Sequence, residues 1–221
     1  GVHVSSGTFN MYGGRISGNV SKDTSDGGGG GVYVCNSSTF NMSGNAAVSG
    51  NTAQYGSGVY LSSNSTFTMS EHAAISGNSA GNNGGGIYIS YPGTFTMENG
   101  TISGNSADKN GGGVYVHNSG AFTMNSGSIS GNRATQNGGG VYVKNGTFTM
   151  SGGKVTGNSA TEGGGGVRLD KGTFNMSGNA AITGNTGTYS GGVSVDGTFN
   201  MSGDAAITGN GSPRSRGGVH V

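Results

Sequence analysis

Large apolar residues recur along this chain at a fixed interval, and the pattern within each interval alternates. Phe9, Phe40, Phe67, Phe95, Phe122, Phe148, Phe174 and Phe199 are all the phenylalanines present, and a methionine follows each of them two residues later, from Met11 to Met201. Successive phenylalanines are 25 to 31 residues apart. A second apolar mark comprises Ile16, Val48, Ile75, Ile102, Ile129, Val155, Ile182 and Ile207, each trailed by a Gly-Asn pair such as Gly104-Asn105. The third is a glycine-led segment, with Val32-Tyr33-Val34, Val114-Tyr115-Val116 and Val167-Arg168-Leu169 as examples. In all three the apolar residues stand at i and i+2, which is the period of a strand and not of a helix.

Strands that return every ~27 residues, with no helix between them, can pair in parallel if every unit makes one coil of a solenoid. The spacing therefore predicts an all-β, right-handed, three-sided parallel β-helix. Residues 1–221 form one solenoid domain of about eight coils, roughly 40 Å long at ~4.8 Å per coil. Its core columns are Phe on Phe, Met on Met, and Val or Ile on Val or Ile. Glycine clusters such as Gly111-Gly112-Gly113 make corners where a Cβ is excluded. Another corner carries Asn19, Asn51, Asn78, Asn105, Asn132, Asn158, Asn185 and Asn210, which predicts a structural amide ladder from coil to coil.

Composition alone would suggest disorder, because 51 of 221 residues are glycine and only 9% are charged. The regular placement of apolar residues overrides that reading. A net charge of +1 gives no basis for a nucleic-acid partner or for docking to anionic lipid. No apolar run approaches the ~20 residues that a membrane-spanning helix needs, so direct insertion is not expected. Cys35 is the one cysteine, which excludes an internal disulfide framework.

Units of the form Gly-Gly-Gly-Val-Tyr-Val, Gly-Thr-Phe-Thr-Met-Ser-Gly-Gly and Ile-Ser-Gly-Asn resemble the repeats of bacterial surface and autotransporter-type β-helix proteins. The chlamydial polymorphic membrane proteins, with Gly-Gly-Ala-Ile and Phe-x-x-Asn motifs, are a looser relative. The resemblance covers the whole chain. It implies an extracellular or cell-surface protein that serves in adhesion or display. No signal sequence, outer-membrane barrel or cell-wall sorting segment is read in these residues, so they say nothing of export or anchoring.

Outward positions form columns too. Tyr33, Tyr60, Tyr88, Tyr115 and Tyr142 are expected to stack on the outer face, where exposed rings could bind surface glycans or another protein. The plainer alternative is that they only stabilise the sheet. Thr-x-Thr pairs flank the phenylalanines, as at Thr66 and Thr68, Thr94 and Thr96, and Thr147 and Thr149. Such arrays resemble ice-binding faces, although Asn10, Asn41, Asn175 and Asn200 interrupt them. Asp170 and Asp196 hold equivalent places one coil apart, a spacing that suits a polysaccharide-degrading carboxylate pair. No loop stands ready to enclose a substrate around them, so no catalytic residue is assigned. His3, His72, His117 and His220 lack ligand spacing, and no metal or other cofactor is expected. Asp23 and Asp26 share a long corner that could hold calcium loosely, but a solvated loop is the better account. Asn36, Asn64, Asn99 and Asn145 head Asn-x-Ser/Thr triplets that another host could glycosylate. Both termini, Gly1-Val2-His3-Val4 and Gly218-Val219-His220-Val221, read as glycine-led strands. They suggest a segment of a longer array, joined to flanking repeats, or a fibre subunit that assembles head to tail with itself.

The reading that follows is a non-enzymatic structural or adhesive solenoid. Its leading rival is a glycan- or protein-binding module built on the tyrosines; ice binding and polysaccharide degradation are remote.

Overall fold

The computed structural model describes residues 1–23 and 28–221. Among them there is no helix, and parallel strands form three sheets of fifteen, eight and six strands. Asp26 lies outside the described residues.

The first sheet joins two of the predicted strand types. Glycine-led strands such as Val114–His117 and Val141–Lys144 stack on one another, as do the phenylalanine strands Ala121–Met124 and Thr147–Met150. In the last coils the two types fuse into the continuous strands Val167–Met176 and Val193–Met201. At the junction in the first of these, Lys171 is in the left-handed region at φ 55°, as Asn145 is one coil earlier at φ 54°. The second sheet stacks the Ile/Val strands from Arg15–Ser17 to Ala206–Thr208.

A fourth segment per coil was not expected. Short strands from Thr52–Tyr55 to Thr186–Gly187 form the third sheet, in which Ala53, Ala80, Ala107, Ala134 and Ala160 stack as a buried column. Only one small residue per strand faces inward, too faint a periodicity to distinguish it from a loop. The coil therefore has four strand segments on three sheets.

Identical residues meet identical residues across every phenylalanine junction. Ring centroids of adjacent phenylalanines lie 4.7 to 5.2 Å apart, from the Phe9–Phe40 pair through to Phe174–Phe199. This is the strand spacing imposed on aromatic rings, which favour an offset stack at that distance. The columns of Phe, Met, Val, Ile and Leu belong to one core that runs the length of the rod. Toward both ends it thins, and Phe9, Ile16, Phe199 and Ile207 are only partly buried.

Glycine is demanded at two places in the coil. In the middle of the triple-glycine corner, a Cβ on Gly139 would lie 2.4 Å from the Ser159 carbonyl oxygen and 2.6 Å from that of Gly165. Backbones of neighbouring coils approach too closely there for any side chain. Before the ladder asparagine, Gly131 adopts φ 62°, a left-handed turn that swings the Asn132 amide into the rod.

Candidate functional site

The asparagine ladder is the most regular polar feature. Asn132 Nδ2 donates to Asn158 Oδ1 at 3.0 Å and to the Ile102 carbonyl at 3.0 Å. Its own Oδ1 accepts from the backbone N–H of Asn105 and from Asn105 Nδ2, both at 2.9 Å. The same arrangement recurs at Asn51, Asn78, Asn105 and Asn158, and Asn185 continues it to Asn210. At the first rung, Asn19 Nδ2 donates to Asn51 Oδ1 at 2.9 Å. The six interior rungs are almost wholly buried. A buried amide keeps its place only when both donors and the acceptor are satisfied, and here the neighbouring coils satisfy all of them. The ladder is a structural element without accessible chemistry.

The tyrosines stack as expected but are not an exposed face. Centroids of Tyr60–Tyr88, Tyr88–Tyr115 and Tyr115–Tyr142 are 4.9 to 5.0 Å apart with nearly parallel rings. Tyr60 is 1% exposed, Tyr88 3%, Tyr115 4% and Tyr142 7%, and together they form a second apolar cluster. Tyr33 is partly buried against its edge, as is Tyr55. The physical reason is the glycine corner: a Cβ on Gly84, Gly111 or Gly138 would lie 2.7 to 2.9 Å from the Cβ of the following tyrosine. With no side chains, those corners fold back against the tyrosine strands, so no ring face is free to stack on a sugar.

Phenol hydroxyls reach residues one coil onward. Tyr33 Oη contacts Ser62 Oγ at 3.3 Å, Tyr88 Oη contacts His117 Nδ1 at 3.0 Å, and Tyr142 Oη donates to Asp170 Oδ2 at 3.0 Å. Burial, reinforced by the Asp170 carboxylate, pushes the Tyr142 phenol well above the usual tyrosine range. Tyr33 is also raised, chiefly by burial. Beside this column His117, Lys144, Asp170 and Asp196 pair in register, so the two aspartates are neighbours. Asp170 is already engaged by Tyr142, which suits it to holding the phenol rather than to attacking a glycosidic bond.

Thr66, Thr94 and Thr147 are exposed, whereas Thr68, Thr96 and Thr149 are half-buried. The columns hold register, but asparagine replaces the second threonine toward both ends, with Asn41 donating to Asn10 and Asn200 to Asn175 at 2.8 Å. His3 Nε2 lies 3.2 Å from the Sγ of the buried Cys35. Among the described residues no three His, Cys, Asp or Glu side chains gather closely enough to hold a metal ion. Asn36, Asn64 and Asn145 occupy left-handed turn positions, and the triplet at Asn99 begins beside a second-sheet strand.

Sequence reasoning passed over the corner after the third-sheet strands. Tyr189 is 48% exposed there, beside Glu162 and Arg214. Those residues recur at no fixed type, so a search for repeated motifs does not find them.

The comparison with family models falls on the middle coils. Residues 99–117 and 126–144 match the Chlamydia polymorphic membrane protein repeat. Each matched stretch runs from a second-sheet strand through a ladder asparagine, Asn105 or Asn132, to a glycine-led strand. The chain is a β-helix repeat protein whose middle coils resemble the repeat of the chlamydial polymorphic membrane proteins. No curated protein and no solved structure matches it. Among the described residues no helix is long and apolar enough to cross a membrane.

Proposed function

We propose that the chain is a rigid, non-enzymatic rod of an extracellular surface-displayed repeat protein, acting as a stalk, fibre or adhesive face. The observation that carries this reading is the unbroken ladder from Asn19 to Asn210, with the phenylalanine stack beside it. Such a rod gains stiffness because every coil is bonded to its neighbours by repeated contacts. The likeness to the polymorphic membrane protein repeat supports surface display.

Further coils of the same kind, in flanking repeats or in a second copy, would extend the same stacks. Electron microscopy of the isolated chain tests both parts. Filaments with a ~4.8 Å axial repeat assign the ends to self-assembly. Separate rods roughly 40 Å long assign them to flanking repeats. Compact particles without a rod shape would overturn the proposal.

A further inference from the structure

At the corner after the third-sheet strands the side chains differ from unit to unit. Asn82, Lys109, Gln136, Glu162 and Tyr189 stand at equivalent places, since each backbone N–H from Lys109 onward donates to the carbonyl of the residue before it in this series at 2.8 to 2.9 Å. The backbone is thus held by the solenoid, and the side chains vary on a fixed frame. In the last coil Pro213 shares a surface depression with Thr188, and the Arg214 N–H is bonded to the Thr188 carbonyl at 3.2 Å.

Next to it lies a groove of about 570 Å³ lined by Thr161, Glu162, Thr188, Tyr189, Pro213 and Arg214. A smaller depression of about 270 Å³ shares Thr161, Thr188 and Pro213 and extends the surface to Arg133. Tyr189 has no place in the buried tyrosine cluster, and its exposed ring offers an apolar plane. Across the groove the Glu162 carboxylate is held by Asn137, whose Nδ2 donates to Oε2 at 2.9 Å. Two arginines, Arg133 and Arg214, line the combined surface, with Glu162 as the one carboxylate in its lining.

A ring plane between hydroxyls suits the C–H face of a pyranose, and a guanidinium binds a carboxylate through paired N–H donors. We propose that this groove binds an acidic oligosaccharide, with one hexuronate ring packed on Tyr189 and its carboxylate on Arg214. Thr161 and Thr188 supply hydroxyls to the sugar, and Arg133 receives a second acidic unit. The inference deepens the adhesive side of the surface-rod reading and rests on it for its biological setting. Binding itself is measured on single chains, so its failure leaves the rod shape seen by microscopy intact.

The test is calorimetric titration of the full chain with tri-galacturonate, and with maltotriose as a neutral probe, at about 0.15 M salt. Tri-galacturonate should bind with a Kd on the order of 1 mM, and maltotriose about tenfold more weakly or not at all. Tyr189→Ser and Arg214→Gln should each weaken tri-galacturonate about tenfold, while Tyr189→Phe, which keeps the ring, should retain binding. The unfolding midpoint of each variant shows whether it is folded. The proposal fails if tri-galacturonate gives no binding at about 10 mM, if both folded variants bind as the parent does, or if maltotriose binds equally well.

Discussion

Two corners of the same coil behave in opposite ways. At the asparagine corner the same residue type stands in all eight units, and the six interior ones are buried and bonded on both sides. At the corner carrying Lys109, Gln136, Glu162 and Tyr189 the backbone bonds persist, but the side chains change and are mostly exposed. The difference shows how a solenoid separates its tasks. A side chain that bonds to its own counterpart above and below can change only if its neighbours change too. A side chain that bonds to nothing in the ladder is free to carry recognition.

The strongest way to break this contrast is Asn132→Ala. It strands the backbone N–H and one amide N–H of Asn105 inside the rod, at a cost of ~1–3 kcal/mol for each group. Urea unfolding should therefore show a loss of about 2–6 kcal/mol, whereas Asn19→Ala, at a half-exposed end rung, should lose only about 1 kcal/mol. Equal losses at the two sites would mean that the ladder does not act through burial.

Tyr142→Phe sharpens the comparison from the side of the buried tyrosines. Below pH ~10 it should lower stability by about 1–2 kcal/mol through loss of the bond to Asp170. At higher pH the difference shrinks. The folded phenol titrates above the unfolded one, so its neutral form contributes in full below pH ~10, and this contribution is lost as pH rises toward the folded value. The parent should then lose stability more steeply than Tyr142→Phe between about pH 10 and pH 12. Parallel pH profiles for the two proteins would contradict a buried, protonated phenol.

The smallest effect belongs to the variable corner. Lys109→Ala removes an exposed side chain and leaves the backbone bond to Asn82 in place, so its unfolding free energy in urea should change by less than about 0.5 kcal/mol. A larger shift would place that corner among the structural elements.

Most of the architecture was legible because the repeat is written in large residues. Phe122 and Met124, Val114 and Val116, and Asn132 each declare a column, and strand period two states which side faces in. The alanine strands were not legible, since Ala107 and Ala134 are single small residues between polar ones. Nor did the variable corner announce itself. Glu162, Tyr189 and Arg214 belong to three different coils, and no linear spacing joins them into a motif.

Periodicity dictates which side chains repeat in space, so the coil, its length, its inward residues and the like-on-like stacking can be read along the chain. Tertiary structure alone decided what is accessible. An outward tyrosine looks exposed along the chain, yet the glycine corner folds against it and buries Tyr60 and Tyr88. Tyr189 escapes that cover and stands at an open groove beside Pro213. Exposure depends on what the neighbouring coil lays over a residue, and that is a property of the packed rod rather than of any one repeat.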